Sequence, residues 1–125
     1  MIARTKQFAL RTMKLVDALP KTIQGRAIGG QLIRSGTSVA ANYRAACRAR
    51  SKAEFISKLG TVEEEADESA FWLELIIEGD LLPAAQIQPL LIEASELVAI
   101  TAASKKTASS ALAKSQIANR KSQIS

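Results

Sequence analysis

Between Thr22 and Gly79 the chain carries two long helical periods of opposite character, and their juxtaposition restricts the fold more than any other feature. The first contains the small-residue run Arg34-Ser35-Gly36-Thr37-Ser38-Val39-Ala40-Ala41-Asn42-Tyr43-Arg44, and the second holds most of the negative charge. At about 100° per residue, Ile28, Leu32, Gly36, Val39, Ala40, Tyr43 and Cys47 gather on one side of the first period. Arg26, Arg34, Arg44 and Arg48 fall within roughly 80° of one another on the opposite side. That spacing predicts a helix over 23–48, capped by Thr22, with a thin smooth seam and a basic stripe. Each Gly in a helix interior costs roughly 1 kcal/mol relative to Ala. Gly29, Gly30 and Gly36 therefore need compensation, and close backbone approach to a neighbouring helix supplies it.

The second period begins with the capping box Ser51-Lys52-Ala53-Glu54, in which each end residue satisfies a backbone N–H of the first turn. It predicts a helix over 52–78, with Gly79 as its natural stop. Phe55, Leu59, Val62, Ala66, Ala70, Leu73 and Ile77 form its core stripe in alternating steps of three and four. Phe71 and Leu75 project from the far side among Glu64, Asp67 and Glu78, with Trp72 near the edge. Large apolar groups on a charged face call for a second buried surface, and Phe71, Trp72 and Leu75 are the candidates for an oligomer interface.

Two further helices flank this pair. Phe8, Leu15, Val16 and Leu19 predict a first helix over 5–19, stopped by Pro20. After Leu81-Leu82-Pro83, the residues Ile87, Leu90, Leu91, Ala94, Leu97, Val98 and Thr101 predict a fourth over 84–104. Beyond it the apolar stripe thins, and Lys114-Ser115-Gln116-Ile117-Ala118-Asn119-Arg120 is followed by the near-copy Lys121-Ser122-Gln123-Ile124. One isoleucine per heptad cannot build a coiled-coil seam, so 105–125 reads as a frayed or disordered tail on a single domain, 1–104. Four amphipathic helices with short turns and no strand-like alternation predict an all-α, antiparallel up-down-up-down four-helix bundle.

Charge and chemistry narrow the function classes. The net charge of +5 conceals +9 over residues 1–50, −7 over 51–80 and +3 thereafter. A basic segment beside an acidic one fits either a footprint for a polyanion or a pair of helices that neutralise each other within or between subunits. With no histidine, the Glu-x-x-His motif of di-iron bundles and any Ser-His or Cys-His nucleophile are excluded. Gly25-Arg26-Ala27-Ile28-Gly29-Gly30 has glycine spacing like a phosphate loop but lacks the following Lys-Ser/Thr and any preceding strand.

Glu64-Glu65-Ala66-Asp67-Glu68 resembles half of the magnesium site of all-helical nucleotide pyrophosphohydrolases. The Glu-x-x-Asp that such a site needs on the next helix is missing, so the acidic run reads as a solvated or salt-bridged face. The single Cys47 cannot form an internal disulfide and, from its place on the seam, reads as a small buried hydrophobe. No signal peptide or membrane span is expected, and a reducing cytoplasm is. The expectation is a non-enzyme with no cofactor, no metal and no membrane partner.

Arg34 to Asn42, then Arg50-Ser51-Lys52-Ala53-Glu54-Phe55-Ile56, and Glu63 to Glu68 through Trp72-Leu73-Glu74-Leu75, resemble the bacterial four-helix-bundle family of ribosomal-RNA intervening-sequence proteins. The resemblance covers about residues 5–105. It departs from the family pattern at Arg44-Ala45, where an acidic-glycine pair is usual, and at the acidic stretch of the third helix. It implies a left-handed bundle assembling as a ring-like homopentamer with no known catalytic activity. A related branch, the accessory proteins of diversity-generating retroelements, comprises basic pentamers that associate with a reverse transcriptase and nucleic acid. The resulting expectation is a homo-oligomeric scaffold associated with RNA or another nucleic acid, with Arg26, Arg34, Arg44 and Arg48 as phosphate-contacting candidates. The alternative is a structural interaction module whose arginines pair with the acidic third helix of a neighbour.

Overall fold

The computed structural model describes residues 1–124, with side chains through Ser122. It consists of α1 (Ile2–Asp17), α2 (Ile23–Cys47), α3 (Lys52–Glu78) and α4 (Ala84–Ile124), with no strand among the described residues. The capping chemistry appears where the sequence placed it. Thr22 Oγ1 accepts from the Gly25 N–H at 3.1 Å, and Ser51 Oγ accepts from the Glu54 N–H at 3.0 Å. Glu54 reaches back one residue further than a standard capping box, accepting from the Arg50 N–H at 2.9 Å. Five expected boundaries, both ends of α2 and α3 and the start of α4, hold to within one residue, whereas α1 starts at Ile2 rather than Thr5 and ends two residues early. Its last turn closes through the Ala18 and Leu19 N–H groups onto the carbonyls of Leu15 and Val16.

Each helix packs along its sequence neighbours, and α1 also touches α4 over a short stretch. Phe8 and Leu15 of α1, Leu32 and Val39 of α2, Leu59, Val62, Leu73 and Ile76 of α3, and Ile87 and Leu97 of α4 fill the interior. Burying each such side chain contributes about 1.5–3 kcal/mol, which makes this stripe the main stabilising element. On α3 the core position expected of Ile77 belongs to Ile76, which is fully buried while Ile77 is half-buried. The buried set Val62, Ala66, Ser69, Leu73 and Ile76 keeps a strict alternation of four and three, so the seam turns one residue earlier than predicted.

The small-residue seam of α2 works as close packing. A Cβ on Gly36 would lie 2.8 Å from Thr12 Cγ2 and 2.9 Å from its Oγ1, so α1 and α2 approach more closely here than an alanine permits. On the other side of α2, the buried hydroxyls of Ser35 and Ser69 lie 2.9 Å apart, bridging α2 to α3. Gly30, by contrast, faces open space and needs no such explanation.

Two sequence expectations are corrected at helix ends. At the end of α3, Gly79 has an ordinary φ of −86°, and Asp80 takes the left-handed conformation at φ 55°. The Leu81 N–H then closes back onto the Ile76 carbonyl at 3.0 Å, which places the reversal one residue later than the glycine suggested. The larger correction concerns α4, which continues to Ile124 instead of ending near 104; Ser125, the last residue of the expected tail, lies outside the described residues. The apolar stripe does end near Thr101, but the backbone ladder does not depend on it. No Gly or Pro follows Pro89, and Ala, Lys, Gln and Leu are good helix formers. Residues 113–122 are all exposed and project past the start of α3 as a single helical arm.

By length and composition, α4 is apolar enough to cross a membrane, with a best-window mean hydropathy of 1.2. Its apolar positions Ile87, Leu90, Ala94 and Leu97 are already buried in the core. Glu93 and Glu96 in the same stretch are held by Arg4 on the outer face, where Ile92 is also exposed.

Candidate nucleic-acid interface

The four stripe arginines do not form one surface. Arg34 is committed inside the chain: its guanidinium donates to Glu65 at 3.2 Å and to Glu68, and its Nε donates to Gln31 at 3.1 Å. Arg34 thus already has carboxylate partners within its own chain, which a phosphate or a neighbouring subunit would have to displace. The cause is the α2–α3 register, which sets Arg34 across from Glu65 and Glu68 just as it sets Ser35 across from Ser69. The Arg34 hydrogen bond holds the Glu68 carboxyl below its usual range, while burial pushes Glu65 up despite the same arginine. Arg26 sits at the other end of α2, beside Pro20 and Lys21. It is about 27 Å along the helix axis from Arg44.

Arg44 and Arg48 remain together, and other elements join them. A groove of about 690 Å³ runs between α1 and α2, lined by Ile2, Lys6, Ala40, Ala41, Arg44, Cys47 and Arg48. A second surface shares Arg44 and Arg48 and continues through Arg50 to Lys58 of α3. Lys6, Arg44, Arg48, Arg50 and Lys58 thus converge at the end of the molecule where α1 starts, α2 ends and α3 starts. None of the five forms an ion pair among the described residues. The one acid on this surface, Glu54, is occupied by the backbone N–H of Arg50. Small residues at Ala40, Ala41 and Ala45 leave the guanidinium groups standing above a shallow floor.

Cys47 is exposed in this groove rather than buried. The seam reasoning extended the core one turn too far: Ala46 is the last residue of α2 to be buried, and the final turn faces the groove. Tyr43 is half-buried, and burial, with the Cys47 thiol beside it, pushes its hydroxyl pKa up.

Elsewhere among the described residues, three of the remaining twelve cations, Arg4, Arg34 and Lys105, are paired within the chain. Arg4 makes a two-pronged contact with Glu93 at 2.9 and 2.7 Å and reaches Glu96 at 2.6 Å, drawing the Glu93 pKa down. Lys105 pairs with Glu63 at 2.8 Å. The acidic run is therefore partly consumed by intramolecular pairs. Among the described residues no three His, Cys, Asp or Glu side chains converge as a metal site.

The outer face of α3 carries the predicted apolar group. Phe71 is 49% exposed and meets Trp72 edge-to-face at a centroid distance of 5.0 Å, while Leu75 is half-buried. The Trp72 indole nitrogen is buried without an acceptor at hydrogen-bonding geometry, although its proximity helps to lower the Glu68 pKa. Leu10 and Met13 on α1, each about half exposed, form an outward apolar pair that the sequence reading did not single out. Their i, i+3 spacing opposite the core stripe was the available signal.

The groove residues Lys6, Arg50 and Lys58 were also missed. They come from three elements, and only the fold brings them beside Arg44 and Arg48.

A family model described as 23S rRNA-intervening sequence protein matches residues 1–103. A solved structure of a protein of unknown function from the S23 ribosomal protein family of Bacteroides thetaiotaomicron is 30% identical to this chain. The match covers 84% of this chain and 97% of that one, with a TM-score of 0.76. No curated protein matches the chain. With the family pattern running through all four core-forming helices, the chain belongs to the 23S rRNA-intervening sequence protein family.

Proposed function

We propose that the protein is a non-enzymatic, homo-oligomeric scaffold of the cytoplasm that associates with RNA through the basic end built by Lys6, Arg44, Arg48, Arg50 and Lys58. The observation that carries this reading is the convergence of five cations, none in an ion pair among the described residues, on one continuous surface at the meeting of three helices. Guanidinium groups above a floor of alanines suit bidentate contact with phosphate oxygens. The ribosomal-RNA association in the family's description supports the same ligand class.

The helices in this reading alternate up and down as a left-handed bundle. Cross-helix contacts support the alternation: Gly29 lies against Val16 and Gly36 against Thr12, so the partners fall along α1 as they rise along α2. The exposed Phe71 face supports self-association, with the ring-like pentamer of the family resemblance as the favoured assembly.

Binding should weaken log-linearly with salt, by roughly 0.7–0.9 units of slope per phosphate contact. Fluorescence anisotropy with a labelled RNA hairpin over a KCl series tests this directly. Replacing Arg44 and Arg48 together with Ala lowers the slope by between one and two units per engaged chain. Helical circular dichroism and oligomer mass stay unchanged. If the double variant instead loosens the oligomer and leaves RNA affinity intact, the arginines serve a subunit contact and the RNA reading fails.

A further inference from the structure

The α4 arm is the largest element that neither the core nor the basic groove absorbs. Residues 113–122 are exposed, and the helix from Ala111 to Ile124 runs about 20 Å. An isolated helix of this length is marginal in water, so a partner lying against it is expected. The chemistry of that partner can be read from the arm. After Glu96 the chain has no further acid but has Lys105, Lys106, Lys114, Arg120 and Lys121. Lys105 pairs with Glu63, and the other four form no ion pair among the described residues. At about 100° per residue those four fall within roughly 120° of one another, turned away from the side that carries Thr101, Ala108 and Leu112. Among the described side chains of residues 113–122, Ile117 is the one large apolar group, at 51% exposure. An apolar partner would find almost nothing to bury here, whereas a polyanion meets a continuous basic face.

The arm and the groove also share one end of the molecule, because α4 passes Lys52 and Phe55 at the start of α3 before it projects. We propose that the arm is a second phosphate-contacting element and that the RNA it grips together with the groove is double-stranded. This rests on the reading of the basic end as an RNA surface. Single strands are held chiefly by bases stacked on aromatic rings. None of the chain's five aromatic residues offers an exposed ring at this end: Phe8 is buried, Tyr43 and Phe55 are half-buried, and Phe71 and Trp72 lie on the acidic helix. Duplex RNA is recognised through its phosphates, 2′-hydroxyls and shape. Its stiffness lets one rod contact both the groove and an arm that continues past the bundle.

The test uses the full-length chain and a blunt RNA duplex of roughly 20 base pairs, with one of its strands alone as the competitor ligand. Lys106, Lys114, Arg120 and Lys121 are replaced together with Gln, and Arg44 and Arg48 with Gln in a second protein. Wild type binds the duplex more tightly than the single strand. The arm variant loses roughly two to four units of salt slope on the duplex, and its preference for the duplex shrinks. If the arm variant matches wild type while the groove variant loses affinity, the arm is not part of the site and this inference fails, although the basic-end reading stands. If the groove variant also matches wild type, that reading fails as well. Tighter binding of the single strand overturns the duplex assignment. A fall in light-scattering mass of the arm variant without RNA means that the arm docks on the acidic α3 of another copy, which also overturns it.

Discussion

Replacing Gly36 with Ala separates close packing from mere tolerance of small residues. In an ordinary exposed helix position the change stabilises by roughly 1 kcal/mol through helix propensity. At Gly36 the new methyl carbon would sit 2.8 Å from Thr12 Cγ2 and 2.9 Å from Thr12 Oγ1, inside contact distance. Thr12 cannot easily turn aside, since it is fully buried and its hydroxyl donates to the Phe8 carbonyl at 2.9 Å. Forcing a methyl into such a site costs about 1–3 kcal/mol. After the propensity gain, the net expectation is a loss of about 0–2 kcal/mol. Gly30, six residues earlier on the same helix, has nothing within 4 Å of its Cβ position and should show the uncompensated gain. The two variants should therefore differ by about 1–3 kcal/mol. For a chain of this length that corresponds to a Tm gap of roughly 4–12 °C.

Thermal circular dichroism at one fixed protein concentration reads that gap, fixed because self-association makes Tm concentration-dependent. Adding Thr12→Ala to Gly36→Ala removes both clashing atoms, so the double variant should be more stable than the sum of the single effects. If Gly36→Ala stabilises as much as Gly30→Ala, the seam does not bring α1 and α2 into the close approach described.

Three further expectations follow from other parts of the molecule. Replacing Phe71 and Leu75 together with Ser should move the light-scattering mass toward the 13.4 kDa monomer while helicity persists, and an unchanged mass would remove that face from the interface. Arg4 and Arg34 depress the pKa values of Glu93 and Glu68, so the stability those pairs contribute is present above the ordinary carboxylate pKa and lost as pH falls through the depressed values. Arg4→Gln should accordingly raise the acid-unfolding midpoint and flatten the stability difference between pH 5 and 3, and a variant with the wild-type acid profile would refute the linkage. Ser35→Ala should cost about 1 kcal/mol in urea melts. The Ser35→Ala/Ser69→Ala pair should cost less than the two singles added, because removing both hydroxyls leaves no unpaired partner.

What could be read from the chain in advance was whatever depends on neighbours in sequence. The Thr22 and Ser51 caps, the stop at Pro20 and the apolar stripes of α1, α3 and α4 are local properties, and the structure reproduces them with a one-residue drift at Ile76. What escaped depends on register and on which elements share an end. Arg34 and Glu68 are 34 residues apart, and nothing in either segment says that the α2–α3 alignment will pair them. The basic groove escaped in the same way, because Lys6, Arg50 and Lys58 are unremarkable where they stand in sequence. The stripe on α2 pointed to Arg44 and Arg48 correctly as neighbours, but it overstated their continuity with Arg26 and Arg34. Cys47 and the α4 arm share one error: the apolar pattern was taken to set the limits both of the core and of the helix, yet the core ends before α2 does and α4 outlasts its own apolar stripe.

The most direct test of the account is a lysine footprint of the intact protein, made by brief acylation with and without duplex RNA and read by mass spectrometry. Lys6 and Lys58 line the basic end, whereas Lys14 and Lys21 lie at the opposite end beside Pro89 and Pro20. RNA binding at the basic end predicts strong protection of Lys6 and Lys58 and unchanged labelling of Lys14 and Lys21. Equal protection at both ends, or labelling of Lys6 and Lys58 that RNA does not alter, would contradict it.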